Sequence, residues 1–134
     1  MPSNKINPKE FLTSYLNDFS DLVKPAGKII NQLESVSKLI KTVHTKGNNI
    51  LVFGNGGSAA ISSHFSVDLT KNAGLRCTNF NEADLITCFA NDYGFERWVE
   101  KAVDFYGDEG DLLIVISSSG SSKNMLNAVK AARK

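Results

Sequence analysis

Cysteine is scarce in this chain, with two among 134 residues. Cys77 and Cys88 are too few and too badly spaced for a zinc ribbon, and without a leader they are expected to stay reduced, both as packing residues. No aliphatic run exceeds the five residues Leu112 to Ile116, against the roughly 20 apolar residues that span a bilayer. Met1-Pro2-Ser3-Asn4-Lys5 also opens without the apolar stretch of a signal peptide, so the expectation is a soluble, cytoplasmic protein with no membrane partner. Neither sign of charge dominates: 15 Lys and Arg against 14 Asp and Glu leave a formal net charge of +1 without a basic block. The few aromatics sit among apolar residues rather than among cations, which argues against nucleic acid.

What is present is enough for one core. With 42% apolar side chains the chain reads as a single domain, 1–134, burying about two thirds of its unfolded surface. Two short apolar strands run straight into loops of glycine and serine and then into helices. Leu51-Val52-Phe53 leads into Gly54-Asn55-Gly56-Gly57-Ser58, and Leu112 to Ile116 leads into Ser117-Ser118-Ser119-Gly120-Ser121-Ser122. Glycine lets the backbone turn sharply and approach a ligand, a helix start offers unpaired N–H groups at a positive dipole end, and serine adds uncharged donors. Together these features suit a phosphate.

Periodicity predicts the remaining elements. Asn7-Pro8-Lys9-Glu10 supplies an N-cap, an N1 proline and an acid three residues on. Phe11, Leu12, Tyr15, Leu16, Phe19, Leu22 and Val23 then share one face of a helix that ends near Pro25. Ile29, Leu33, Val36, Ile40 and Val43 mark a second helix that stops at Lys46-Gly47. This helical pair, 1–47, either covers the sheet or forms a subunit interface. From 48 to 134 strand, loop and helix alternate, which indicates a three-layer α/β fold with a doubly wound parallel sheet. The expected strands are 49–53, a weak one over 75–80, and 112–116. The expected helices run from Ser58 to about Asn72, from Asp84 to before Asn91, from Phe95 to Tyr106 with Gly107 closing it, and from Gly120 onward. The last is still helical at 131–134 and looks cut off. With strand three beside strand one, 112–116 would be an open apolar edge, which further strands or another chain are expected to cover.

The first loop is not a Walker motif, but Gly54-x-Gly56-x-x-Ala59 satisfies the dinucleotide pattern. A ribose-binding acid is poorly supplied, because Glu82 and Asp84 come late and Asn79 and Asn81 are not acidic. The serine-rich second loop has the composition of a flexible linker, yet an aliphatic strand and the helix residues Met125, Leu126 and Val129 flank it tightly.

Four segments carry a resemblance: G-N-G-G-S-A-A at 54–60, H-F-S-V-D-L at 64–69, T-C-F-A-N-D-Y-G-F at 87–95, and G-D-L-L-I-V-I-S-S-S-G-S-S-K-N at 110–124. In order, they resemble the sugar isomerase (SIS) domain, with its flavodoxin-like strand order, and more narrowly the bacterial phosphoheptose isomerases. Those enzymes convert sedoheptulose 7-phosphate into D-glycero-D-manno-heptose 7-phosphate for lipopolysaccharide or capsule heptose. The resemblance covers nearly the whole chain. It implies a homotetramer built around the two N-terminal helices, a heptose 7-phosphate ligand and no nucleotide cofactor. Family members are longer, and what this chain lacks corresponds to their last strands and final helix.

Carried over by position, the resemblance places Gly56, Gly57, Ser58, Ser117, Ser118, Ser119 and Ser122 around the sugar phosphate, and Asn55 and Asp92 near the sugar hydroxyls. Ser118 and Ser121 stand where the family usually has threonine and asparagine. His64 and Asp68 lie four apart on one helix face, a spacing that fits two ligands of one metal, an acid with a base, or a plain surface ion pair. The resemblance makes the residue at 68 the base and, in some members, makes both positions zinc ligands beside a Gln and a His of the final helix. Asp68 replaces the family's Glu, which withdraws the carboxylate by roughly 1.5 Å. His44 reads as a helix-terminal side chain. A non-catalytic sugar-phosphate sensor or adaptor is the alternative in another class, and a dinucleotide-dependent enzyme is a third.

Overall fold

The computed structural model describes residues 7–133. Ile50–Gly54 form β1, with every residue buried, because it is the middle strand of a three-stranded parallel sheet in the order β2-β1-β3. β2 is Cys77–Asn79 and β3 is Leu112–Ile116. Ile50 pairs with Cys77 on one side and with Leu112 on the other. Side chains alternate across a strand, so β1 supplies two cores. Leu51 and Phe53 pack with Phe80, Trp98, Val99, Ala102, Met125 and Ala128 on one face, while Ile50 and Val52 pack with Val43, Phe65, Leu69, Ile114 and Ile116 on the other. Helices on both faces explain why β1 is apolar throughout rather than alternating.

The helices follow from their sequences. α1 (Pro8–Val23) starts where the Asn7 side chain accepts from the Lys9 N–H, with Pro8 in the first turn. It gives way to a 3-10 segment, Lys24–Ile29, at Pro25, whose missing N–H interrupts the α ladder. α2 is Ile30–Thr45. The chain divides into two compact units, Met1–Lys38 and Leu39–Lys134. The second unit begins inside α2, because Ile40 and Val43 pack with Ile50 and Val52.

In the second unit α3 is Gly57–Lys71, α4 is Ala83–Tyr93, α5 is Trp98–Tyr106 and α6 is Lys123–Ala131. Four elements, β2, α4, α5 and α6, differ from the sequence expectations. β2 holds only Cys77–Asn79, because the Leu75 N–H turns back to the Leu69 carbonyl at 2.9 Å. Phe80 has left the ladder to stack on Phe53 with ring centroids 5.2 Å apart. α4 continues through Asn91 and Asp92 until Gly94, at φ 85°, ends it. Phe95 is exposed outside α5, and α6 ends at Ala131 with a turn after it.

The open edge is present. Among the described residues β3 pairs with β1 alone, and its five residues are only half-buried where those of β1 are buried. Cys88 corrects another expectation: it is exposed on α4, off the face that carries Leu85, Ile86 and Phe89 to the core, whereas Cys77 packs beside β1. Both thiols are free.

Candidate functional site

In an open parallel sheet, ligands bind beyond the carboxyl ends of the strands, where successive connections depart in opposite directions. Here that point lies between β1 and β3, since the chain leaves β1 toward β2 and returns on the far side to β3. The two glycine and serine loops are the segments that leave those two ends.

The first loop is shaped by close approach. A Cβ on Gly54 would lie 2.3 Å from the Ser58 carbonyl oxygen, so only glycine lets α3 start this near to β1. Gly56 precedes α3 with φ 54° and ψ −119°, a conformation closed to residues with a Cβ. The turn is held by Ser58 N–H donating to the Asn55 carbonyl at 2.9 Å and Ala59 N–H to that of Gly56 at 3.0 Å. α3 then lies against the sheet through small residues. Ser62 and Ser66 are its buried side chains, and Nδ2 of Asn79, the last residue of β2, donates to Ser66 Oγ at 2.8 Å. Asn81 Nδ2 reaches the Ala59 carbonyl at 2.8 Å and Ser63 Oγ at 2.6 Å. Asn79 and Asn81 thus anchor a helix instead of taking the ribose position of a dinucleotide site.

The second loop folds on its own hydroxyls. Ser117 Oγ accepts from the Gly120 N–H at 3.2 Å and lies 3.5 Å from Ser122 Oγ, while Ser119 Oγ accepts from the Ser121 N–H at 3.2 Å. Ser118 is exposed. Ser122 is the residue before α6, and its side chain makes no capping bond, which leaves first-turn N–H groups of α6 open for an anion. Lys123 stands at the start of α6, and its ammonium is raised above the usual lysine range by a hydrogen bond and charge attraction from Glu96, at 2.8 Å.

The two loops are joined by a residue to which sequence reasoning gave no role. Asn124 of α6 is 3% exposed, donates through Nδ2 to Asn55 Oδ1 at 2.8 Å, and accepts from Asn55 Nδ2 at 3.0 Å. The only signal in the sequence was an amide in the first turn of the helix that follows the second loop. Asn55 retains one N–H and one lone pair for a ligand.

His64 and Asp68 lie on α3 as the spacing predicted, with His64 Nε2 3.7 Å from Asp68 Oδ2 and both side chains well exposed. Asp68 Oδ1 also accepts from Asn72 Nδ2 at 3.0 Å. Neither is hydrogen-bonded to the loops. Asp92, on the last turn of α4, is exposed and bonded only locally, to Asn91 Nδ2 at 2.9 Å and the Cys88 thiol at 3.7 Å. The structure therefore brings Asn55, Asn124 and the two loops together, and holds His64, Asp68 and Asp92 on helix surfaces. Zinc takes four ligands, at least three of them from protein. Among the described residues no third His, Cys, Asp or Glu gathers beside His64 and Asp68, so on their own these two do not make a zinc site.

Known proteins share the fold. Residues 14–134 match the SIS domain family. The chain belongs to that family. It is 39% identical over 107 residues to a phosphoheptose isomerase of Fusobacterium nucleatum, covering 76% of this chain and 55% of that protein. With a phosphoheptose isomerase of Campylobacter concisus it shares 34% identity over 134 residues, covering 94% of this chain and 68% of the relative. The solved phosphoheptose isomerase of Neisseria gonorrhoeae superposes with a TM-score of 0.90 at 31% identity, over 95% of this chain and 70% of that one. The chain thus spans little more than half the length of some of these curated relatives. Among the described residues no helix is long and apolar enough to cross a membrane.

Proposed function

We propose that this SIS domain binds a phosphorylated heptose between its two glycine and serine loops and takes part in isomerising sedoheptulose 7-phosphate to D-glycero-D-manno-heptose 7-phosphate. The observation that carries the reading is the pair of loops at the switch point, with open N–H groups at the start of α6 and serine hydroxyls beside them. The similarity to phosphoheptose isomerases supports the choice of sugar. Ser58, Ser117, Ser119 and Ser122, with the backbone of Gly56 and Gly57, take the phosphate, and Asn55 takes a sugar hydroxyl.

Isomerisation of the open-chain sugar removes a proton from the carbon beside the carbonyl, forms an enediol and returns a proton to the neighbouring carbon. Asp68 is the base in this reading. His64, whose Nε2 lies 3.7 Å from Asp68 Oδ2, is the acid partner that carries a proton to or from the substrate oxygens. In the same reading the complete enzyme works in the cytoplasm as a homotetramer supplying heptose for lipopolysaccharide, and any zinc on His64 and Asp68 needs further ligands from outside the described residues. The exposed apolar faces of α1 and α2 support self-association.

The test is conversion of sedoheptulose 7-phosphate, followed by separation of the two sugar phosphates, with binding measured in parallel. Asp68→Asn is expected to keep the affinity and lower turnover by at least about a hundredfold, the scale of a misplaced or missing catalytic group. Unchanged turnover would remove Asp68 from the mechanism. Tight binding without turnover in the unmodified protein would favour the non-catalytic sensor.

A further inference from the structure

We infer that Asn124 is a positioning residue that locks the loop after β1 to the start of α6 and so sets the spacing between the two halves of the phosphate cradle. The ligand assigned to the cradle rests on the sugar-phosphate reading above; the lock is a property of the free chain.

Three observations carry it. The two amides form a closed ring, each donating once and accepting once, at 2.8 and 3.0 Å. The pair joins residues 69 apart in sequence, and among the described residues no other hydrogen bond links the two loops. Asn124 is also buried at a place where α6 needs no polar side chain: its neighbours Met125 and Ala128 belong to the apolar core, and alanine would form the helix better. A buried amide destabilises a fold unless its hydrogen bonds are made, and here Asn55 makes them. Asn124 Oδ1 also accepts from the Met125 N–H at 3.1 Å, which fixes the amide plane toward the first loop.

The consequence is geometric. The first loop offers the Gly57 N–H and the Ser58 hydroxyl and the second the N–H groups at the start of α6, and one phosphate can use both only if their separation is held. Without Asn124 the first loop keeps its own turn, Ser58 N–H to Asn55 carbonyl, but loses its tie to the second.

The experiment is a double-mutant cycle of Asn55→Ala, Asn124→Ala and the double variant in the whole chain, read in two ways. Amide hydrogen exchange at Ser58 and Ala59, whose N–H groups close the first turn, is measured in the free protein, and sedoheptulose 7-phosphate affinity by calorimetry. Each single variant is expected to speed the exchange by about tenfold, the scale of one or two net hydrogen bonds. The double variant is expected to be no faster than either single one, because one interaction is lost in all three. Affinity in Asn124→Ala is expected to fall by about tenfold or more. Unchanged exchange at Ser58, or additive effects in the double variant, would overturn the lock and leave Asn124 a helix residue only. If Asn124→Ala fails to fold, Asn55→Ala, on a partly exposed loop, still decides: it must loosen Ser58 and Ala59 by itself. No binding by the unmodified chain would overturn the sugar-phosphate reading, while the exchange data would still judge the lock.

Discussion

Cys77 and Cys88 show how far surroundings rather than residue type set chemistry. Burial beside β1 pushes the Cys77 thiol up to about 11, while Cys88 is exposed on α4 next to Asp92. A thiolate is the reactive form, so at pH 8 only about one Cys77 in a thousand is ionised. Iodoacetamide at pH 8 is therefore expected to label Cys88 and spare Cys77, with Cys77 labelled as the pH rises toward its own value; peptide mass analysis reads both sites. Equal labelling at pH 8 would mean that Cys77 is not packed as described. The sequence put both thiols in the core, and Cys88 escaped because periodicity shows which positions could face inward without showing how wide the buried stripe of a short helix is. His64 and Asp68 were legible as a pair for the opposite reason: an i, i+4 spacing fixes neighbours on a helix whatever surrounds them. Asn124 was not legible, since its partner lies on a different strand end and only the tertiary fold brings the two amides together.

Among the elements, strands β1 and β3 with their loops were legible because a buried parallel strand reads as an unbroken apolar run. β2 was blurred, as its three residues alternate exposure and its neighbours leave the ladder for other partners. α3 was found by its ends more than by its pattern: its contact face sets the buried serines Ser62 and Ser66 beside only two large apolar residues, Phe65 and Leu69, so its apolar stripe is weak. That face makes a specific demand. Ser62 is fully buried and Ser62 Oγ donates to the Ala59 carbonyl at 2.8 Å, so the helix sits close to the sheet because the side chains between them are small. Ser62→Leu adds bulk where none fits and is expected to cost about 1–3 kcal/mol, with α3 lifted from β1. Thermal unfolding measures the first effect. The second is read as weaker sugar-phosphate binding, since Gly57 and Ser58 move with the helix they begin. A Ser62→Ala variant, which removes only the hydroxyl, is expected to change stability by no more than about 1 kcal/mol and to leave binding intact. If leucine is tolerated as well as alanine, the close approach recorded at Gly54 is not a constraint on the site.

At the scale of the whole molecule the outstanding feature is unburied apolar surface. α1 has no buried residue, and along it Phe11, Leu12, Tyr15, Leu16, Phe19, Leu22 and Val23 are all more than half exposed. Soluble monomers rarely leave patches larger than a few hundred Å² uncovered, and isolated helices of this length are marginal in water without a packed face. A second copy of the chain is the partner that the homotetramer proposal supplies. Leu16 and Phe19, three apart on that face, are 63% and 58% exposed, so replacing them removes little buried surface. Leu16→Asp with Phe19→Asp is therefore expected to keep the fold of residues 39–134 but to reduce the mass in solution to that of one chain, measured by light scattering. Mass action adds a second readout. An assembling protein gains stability with its own concentration, so the melting temperature of the unmodified chain is expected to rise on concentration while that of the double variant stays fixed. A chain that is monomeric at all concentrations would defeat the tetramer proposal. A variant that stays assembled would move the interface away from the α1 stripe, to α2 or to the open edge of β3, where unpaired backbone groups also invite a partner.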